Sequence, residues 1–317
     1  MPSKYRIGVV GAGTAFQMAL PVLKTLGPIA ITHLDPKAPS AASDFHFYPD
    51  ASTMLRSGEV QFAYIATPVA SHRSLAIQSA SQGIPTLLEK PLFMHLAEAE
   101  SIPRELRPLI FPAFRKRYSS AARAIKRLHE LSPRASPVNL EYTWLAPYPG
   151  DRHWKIQRQI SGGGVTMDLV CHMFDLVEYS LGAISSMNVL QTRMHSEQNT
   201  DTYVDITGKA GEAASYSLRA GWAEKESIQV LRYKSSLSEV LWIKRGPEPV
   251  SQLSIIEGAH VESFSCDRAE EYAPMFSDFL NSRNTTSPTL PSFQDGMRNL
   301  ELIDQVHRCL NWGIHRE

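Results

Sequence analysis

Asp168 and His172 stand four residues apart in a stretch, Gly162 to Leu176, that opens with three glycines and then carries an apolar helical pattern as far as Leu181 and Gly182. An imidazole that titrates near neutrality, one helical turn from a carboxylate, is able to bind a hydroxyl group and move its proton. At about 100° per residue, Asp168, His172, Asp175 and Tyr179 fall in one narrow stripe. Almost everything else is apolar, with Val165, Leu169, Met173 and Leu176 on one flank and Met167, Val170, Phe174 and Val177 on the other. A helix apolar nearly all round is buried, so its stripe must face either hydrogen-bonding partners in the core or a water-filled pocket. In the first case His172 is a core histidine satisfied by Asp168. In the second the two are candidate catalytic and substrate-binding groups.

A second group of candidates sits near the N-terminus. Residues 5–10 read as a buried strand, Gly11-Ala12-Gly13-Thr14-Ala15-Phe16 follows at once, and a helical pattern runs from Gln17 to Leu26. Strand, glycine turn and helix resemble the opening of a dinucleotide-binding fold, in which amides at the helix start hold the pyrophosphate. Gly11, Gly13, Thr14, Ala15 and Phe16 are therefore candidate cofactor contacts. Phe16 departs from the fingerprint, which has Gly or Ala there. Its ring is expected to pack on apolar neighbours and leave its backbone N–H open to phosphate. Asp35 ends the next apolar run, near the ~20-residue interval at which an acid meets the adenosine ribose. It predicts NAD over NADP, although Lys37 is a cation that could accommodate a 2′-phosphate, and the competing reading of Asp35 is a turn residue before Pro36.

Further strands are expected at residues 60–66, 85–88 and 108–111, alternating with helices. This is the pattern of a doubly wound parallel sheet, whose ligands lie beyond the carboxyl ends of the strands. Thr67, Pro68, His72, Glu89 and Lys90 all fall at such ends and join the cofactor candidates. The basic run Arg115-Lys116-Arg117 is either a solvated helix start or a ligand contact, and Arg117 is kept as a substrate candidate. From residue 137 onward the pattern turns to strands, at 138–144, 187–194, 202–208, 214–222, 227–233 and 239–244, with helices at 268–281 and 296–311. The expected fold is α/β: a Rossmann-type domain over residues 1–118, then an α+β domain over 119–317 built on an open, mainly antiparallel sheet.

Composition narrows the partners. Lys plus Arg and Asp plus Glu are both 32, so no net field favours nucleic acid or an anionic membrane, and a small molecule is the expected partner. No apolar run approaches the ~18 residues of a membrane span, and no leader pattern precedes the first strand, which predicts a cytoplasmic protein. Three cysteines, Cys171, Cys266 and Cys309, are too few and too scattered for a disulfide framework or a zinc site, so no metal is expected. Cys171 and His172 point about 100° apart as helix neighbours, which argues against a nucleophilic pair.

The glycine turn, Ala66-Thr67-Pro68 with His72, Glu89-Lys90-Pro91, Arg117-Tyr118, and the three glycines with Asp168 and His172 come in an order and spacing that resembles the glucose-fructose oxidoreductase, inositol dehydrogenase and rhizopine-catabolism family (Gfo/Idh/MocA). Trp154 shortly before the glycines, Asp201 at a strand start and Asp295-Gly296 extend the resemblance through nearly the whole chain. It implies an NAD(P)-dependent dehydrogenase or reductase acting on a secondary or anomeric hydroxyl, or the matching ketone, of a sugar, cyclitol or related polyhydroxylated ring. It also implies His172 as proton carrier, Asp168 orienting it or binding a second hydroxyl, Lys90 polarising the reacting oxygen, and Trp154 near the substrate. Lysine and histidine exchange the role of base among such enzymes. A homo-oligomer formed through the second sheet is the implied assembly. Two alternatives stay open: an enzyme, including glycoside-cleaving ones, that keeps NAD bound as a transient hydride store, and a non-catalytic NAD-binding sensor.

Overall fold

The computed structural model describes residues 6–32, 45–132, 136–195, 197–246, 250–267, 269–282 and 287–310. Asp35 and Lys37 lie outside the described residues. The chain divides into two compact units, Met1–Phe114 with Tyr272–Leu300, and Arg115–Glu271 with Glu301–Glu317.

The first unit holds β1 (Ile7–Val10), α1 (Thr14–Leu26), β2 (Ile29–Thr32), β3 (Phe45–Phe47), α2 (Ala51–Arg56), β4 (Phe62–Ile65), α3 (His72–Ala80), β5 (Thr86–Leu88), α4 (Leu96–Glu100) and β6 (Ile110–Pro112). Its six strands are all parallel, in the order β3-β2-β1-β4-β5-β6. Strands β1 and β4 are buried at every residue, as a parallel sheet covered on both faces requires. The chain leaves β1 toward β2 on one side and β4 on the other, so the strand order reverses there. In open α/β sheets that reversal is where the crevice for a ligand forms.

The second unit carries α5 (Ser120–Leu131), β7 (Asn139–Pro147), α6 (Arg158–Ser161), a π-helical turn at Thr166–Val170 running into α7 (Cys171–Leu181), and the strands β8 (Ile184–His195), β9 (Thr200–Ala210), β10 (Ala214–Glu224), β11 (Ile228–Lys234), β12 (Ser238–Arg245), β13 (Val250–Glu257) and β14 (His260–Asp267). They form one eight-stranded sheet, β14-β13-β12-β11-β7-β10-β9-β8, antiparallel except where β7 meets β10. Helices α5 and α7 pack on each other and lie against this sheet. On the facing side of β11 and β12, Leu231, Tyr233, Val240 and Trp242 are buried, while Arg232 on the opposite side is exposed.

Several features differ from the sequence expectation, β3 among them. Strands β13 and β14 are additional to the six expected. β14 is an edge strand exposed at every residue but Cys266, and its mixed polar and apolar side chains leave no period-two trace to read. The helices α8 (Ala269–Asn281) and α9 (Phe293–Cys309) form close to the expected positions, but residues 272–300 cluster with the first unit rather than the second. Aromatic contacts account for it: Phe276 sits edge-on to Tyr64, Phe279 to Phe62 and Phe111, and Phe293 lies beside Phe93.

Candidate active site

In the first unit the glycine turn follows β1 directly. Gly11 has φ +99°, and a Cβ there would stand 2.5 Å from the Ala66 carbonyl, so only glycine lets the chain leave β1 this close to the end of β4. Gly13 is the N-cap residue of α1 and faces open space, with nothing within 4 Å of an added Cβ. It offers no side-chain cap, and the first turn of α1 holds no acid. A helix start left in this state fits the negatively charged pyrophosphate of a dinucleotide. Thr14 is exposed and Ala15 half-buried at the same turn. Phe16 turns inward, 2% exposed, with its ring edge-on to Phe45 at 6.2 Å. The aromatic ring therefore fills the core under the turn.

The other candidates of this unit divide by burial. Thr67 accepts a hydrogen bond from Ser71 Oγ at 2.7 Å, at the end of β4. His72, grouped by sequence with the cofactor contacts, is only 1% exposed, and its ring is surrounded by backbone. Nδ1 lies 3.1 and 3.2 Å from the carbonyls of Pro91 and Leu92, and Nε2 lies 3.0 Å from that of Thr67. Its place is to tie the Thr67-Pro68 turn to the loop after Lys90. Burial pushes its pKa below the ordinary histidine value, against the carbonyls, which favour the charged ring. Glu89 is also turned in, accepting from the Tyr64 hydroxyl at 2.7 Å and the Lys90 amide at 3.3 Å. Lys90 at the end of this loop is half-buried.

In the second unit the glycine run ends at an internal anion. The Asp201 carboxylate, fully buried at the start of β9, accepts from the amides of Gly164 at 2.7 Å and Thr166 at 2.6 Å and from Thr166 Oγ1 at 2.6 Å. A Cβ on Gly164 would stand 1.8 Å from the Asp201 carbonyl oxygen, so the closeness of strand and helix start requires glycine. The helix then opens with a π turn, in which the Cys171 amide donates to the Thr166 carbonyl five residues back. Such turns shift side chains from the α-helical register and recur at functional sites.

The polar stripe is consequently shared between two tasks. Asp175 and Tyr179 are taken by Arg117: Nε donates to both Asp175 oxygens at 2.9 and 3.0 Å, Nη2 to Oδ1 at 2.7 Å, and the guanidinium carbon lies 5.5 Å from the Tyr179 ring centroid. With side-chain exposures of 7% and 2%, this is a closed ion pair, and it joins Arg117 to α7. The basic run is not a solvated helix start, because Lys116 is likewise buried against Glu271 at 2.8 Å, between the rings of Trp144 and Trp242.

Asp168 and His172 have other surroundings. The His172 ring, 3% exposed, stacks on Trp144 with centroids 5.6 Å apart and planes 24° from parallel. Asp168 Oδ2 accepts from Lys155 Nζ at 2.8 Å, in a pair whose side chains keep 14% and 33% of their exposure. Trp154 is half-buried and stacks on His153. The arrangement gives a carboxylate fixed by a cation and, one turn on, an imidazole fixed by an aromatic face, which together can bind a hydroxyl and carry a proton. Sequence reasoning missed Trp144, Lys155 and the capping role of Asp201, since no local spacing rule links residues 13 to 37 apart on different elements. Among the described residues no cluster of three or more potential metal ligands occurs, and no helix is long and apolar enough to cross a membrane.

Comparison with known proteins bears on the family and the fold. Residues 5–107 match the model described as oxidoreductase family, NAD-binding Rossmann fold, and residues 135–233 match that of the GFO/IDH/MocA C-terminal domain. Levoglucosan dehydrogenase of Pseudarthrobacter phenanthrenivorans is 26% identical over 54% of this chain and 46% of its own length. D-Apiose dehydrogenase of Rhizobium rhizogenes is 24% identical over 55% of this chain and 52% of its own. The alignments thus span about half the length of these relatives. A solved structure of levoglucosan dehydrogenase in complex with NADH and levoglucosan superposes with a TM-score of 0.79 at 17% identity, covering 96% of each chain, and so shares the fold. The two matched domains together take in well over half of the sequence, and the chain belongs to the Gfo/Idh/MocA family of oxidoreductases, its first domain being the family's NAD-binding Rossmann fold.

Proposed function

We propose that the protein oxidises one secondary or anomeric hydroxyl of a polyhydroxylated ring, a sugar or cyclitol, or reduces the matching ketone. The observation that carries this reading is the pairing, on one helix, of a cation-held carboxylate at Asp168 with an aromatic-stacked histidine at His172. When bound, the nicotinamide ring supplies the hydride chemistry, taking hydride from the carbinol carbon in one direction and returning it in the other. The residues handle the rest. His172 takes the hydroxyl proton on oxidation and gives it back on reduction. Asp168 orients the ring by accepting from a hydroxyl, Lys90 polarises the reacting oxygen, and Trp154 offers an aromatic face to the sugar. Gly11, Gly13, Thr14, Ala15 and Phe16 supply the backbone on which the pyrophosphate rests, with Thr67 and Pro68 beside it; His72 and Glu89 hold those loops in place.

We further propose NAD as the preferred carrier, from Asp35, because a carboxylate bonds both ribose hydroxyls and repels a 2′-phosphate. Three thiols free of disulfides accord with a cytoplasmic enzyme. The sheet face bearing Glu141, Thr143, Arg219 and Arg232 is the surface proposed to pair with a second copy.

A screen of aldoses, cyclitols and simple alcohols with NAD and NADP, followed by the absorbance of the reduced cofactor, tests the reading. A ring polyol is expected to be the best substrate; a simple aliphatic alcohol that outperforms every ring would contradict it. In His172→Asn turnover should fall ~10²- to 10⁴-fold with NADH binding and melting temperature nearly kept. Near-normal turnover with a lowered melting temperature would make His172 a core residue. Turnover by dinucleotide carried through purification, without any added, would favour a transient hydride store.

A further inference from the structure

Among the described residues of the second unit, the charge pairs near the central helix differ in one respect. Arg117 with Asp175 (7% and 2%) and Lys116 with Glu271 (5% each) are closed to solvent, whereas Lys155 and Asp168 keep 33% and 14% of their side-chain exposure. The first two serve the core. A pair open at both ends can exchange water for a ligand.

Lys155 is also held so that its ammonium has a defined reach. It lies in a one-turn 3₁₀ helix, Trp154–Ile156, whose Ile156 is fully buried. Its own amide donates to His153 Nδ1 at 3.2 Å, and the Ile156 and Gln157 amides return to the His153 and Trp154 carbonyls at 3.1 Å each. The partner carboxylate belongs to the π turn, in which Thr166, Met167, Leu169 and Val170 are buried and Asp168 alone keeps some exposure.

We propose that Lys155 is a positioning and specificity-determining residue: with Asp168 it forms an ion pair that selects rings bearing a hydroxyl next to the one that reacts. The inference rests on the function proposed above. An ammonium only donates and a carboxylate only accepts, whereas a hydroxyl does both, so one hydroxyl satisfies both members of the pair at once. A ring with hydrogen at that carbon displaces water from the two charges and returns no bond, and sites of this kind discriminate against the analogue lacking the group. Without Lys155, Asp168 loses the contact that fixes Oδ2, and the selection loses its donor.

The test is calorimetric titration of the NADH-saturated protein, a complex that cannot turn over an alcohol, with D-glucose, myo-inositol and monodeoxyglucoses, for wild type, Lys155→Met and Lys155→Arg. Steady-state kinetics on the best substrate and its deoxy analogue accompany it. Wild type should bind the hydroxylated ring about tenfold or more tighter than the analogue lacking the selected hydroxyl. Lys155→Met should lose that margin by weakening the hydroxylated ring alone, with the kinetic loss mainly in KM, and Lys155→Arg should keep most of it. Equal loss on both rings, or unchanged discrimination in Lys155→Met, would overturn the assignment of Lys155 and leave the proposed function standing. A wild type that binds none of the rings would overturn the proposed function, and this inference with it.

Discussion

Helix α1 begins after Gly11-Ala12-Gly13 with no side-chain cap from Gly13 and no acid in its first turn, whereas the helix leading into α7 begins after Gly162-Gly163-Gly164 with the Asp201 carboxylate already on the amides of Gly164 and Thr166. Both starts present the same partial positive charge. One has no side-chain cap from Gly13, and is where we propose that a ligand binds; the other is neutralised from within the chain. The glycines differ to match: at Gly13 a side chain would meet nothing, and at Gly164 it would collide with the Asp201 backbone. Glycine richness at a helix start is therefore a sign of close approach, and what approaches, an anion or a strand, is decided elsewhere in the chain.

The largest effect expected from this contrast is at the occupied start. Asp201→Ala should leave two buried amides and one hydroxyl without an acceptor, at about 1–3 kcal/mol each before relaxation, and so destabilise the protein by roughly 3–6 kcal/mol. Denaturant unfolding measures it. A change under about 1 kcal/mol would mean that water replaces the carboxylate and that this start is as open as the first.

Next in size is Arg117→Met, which takes the guanidinium away from the buried Asp175 carboxylate, at a cost of about 3–5 kcal/mol. Because Arg117 is committed to Asp175 and Tyr179, KM of the folded enzyme should change little. A large rise in KM with stability intact would restore Arg117 to the substrate.

A smaller effect concerns the loops of the first unit. His72 is neutral when buried, its pKa lying below the ordinary value of 6.5. Above that value neither state of the protein binds the proton, and pH has no leverage through this residue. Below it the unfolded chain takes the proton first, so stability should fall by up to about 1.4 kcal/mol per pH unit until the folded-state pKa is reached. Unfolding free energies between pH 7 and 5, compared with those of His72→Gln, check this. An identical slope in the variant would assign the acid loss to other groups.

Much of the fold was legible before the structure. Parallel strands buried on both faces leave continuous apolar runs, as at Ile7–Val10 and Phe62–Ile65, and the stripe on the central helix follows from its periodicity. The edge strand β14 and its neighbour β13 were not, because strands largely open to solvent need no regular alternation. At the site, Asp168 and His172 could be named from their spacing, but how the stripe divides could not. Arg117 comes to Asp175 across 58 residues, Asp201 to Gly164 across 37, and Lys155 to Asp168 across 13, and each is a choice of partner made by tertiary packing. Phe16 departs from the fingerprint in the sequence, and the structure places its ring in the core, edge-on to Phe45.

The most direct measurement is NADH binding by Gly13→Asp, which gives the first helix start the kind of anion that the second already has. A cap carboxylate stabilises a helix start, by up to about 1 kcal/mol, so the melting temperature should hold or rise slightly. NADH binding, read by fluorescence titration, should be lost, because the introduced charge stands where the pyrophosphate is proposed to rest. Gly13→Asp that binds NADH as tightly as wild type would contradict the account, since the open start of α1 would then not be where the dinucleotide is held.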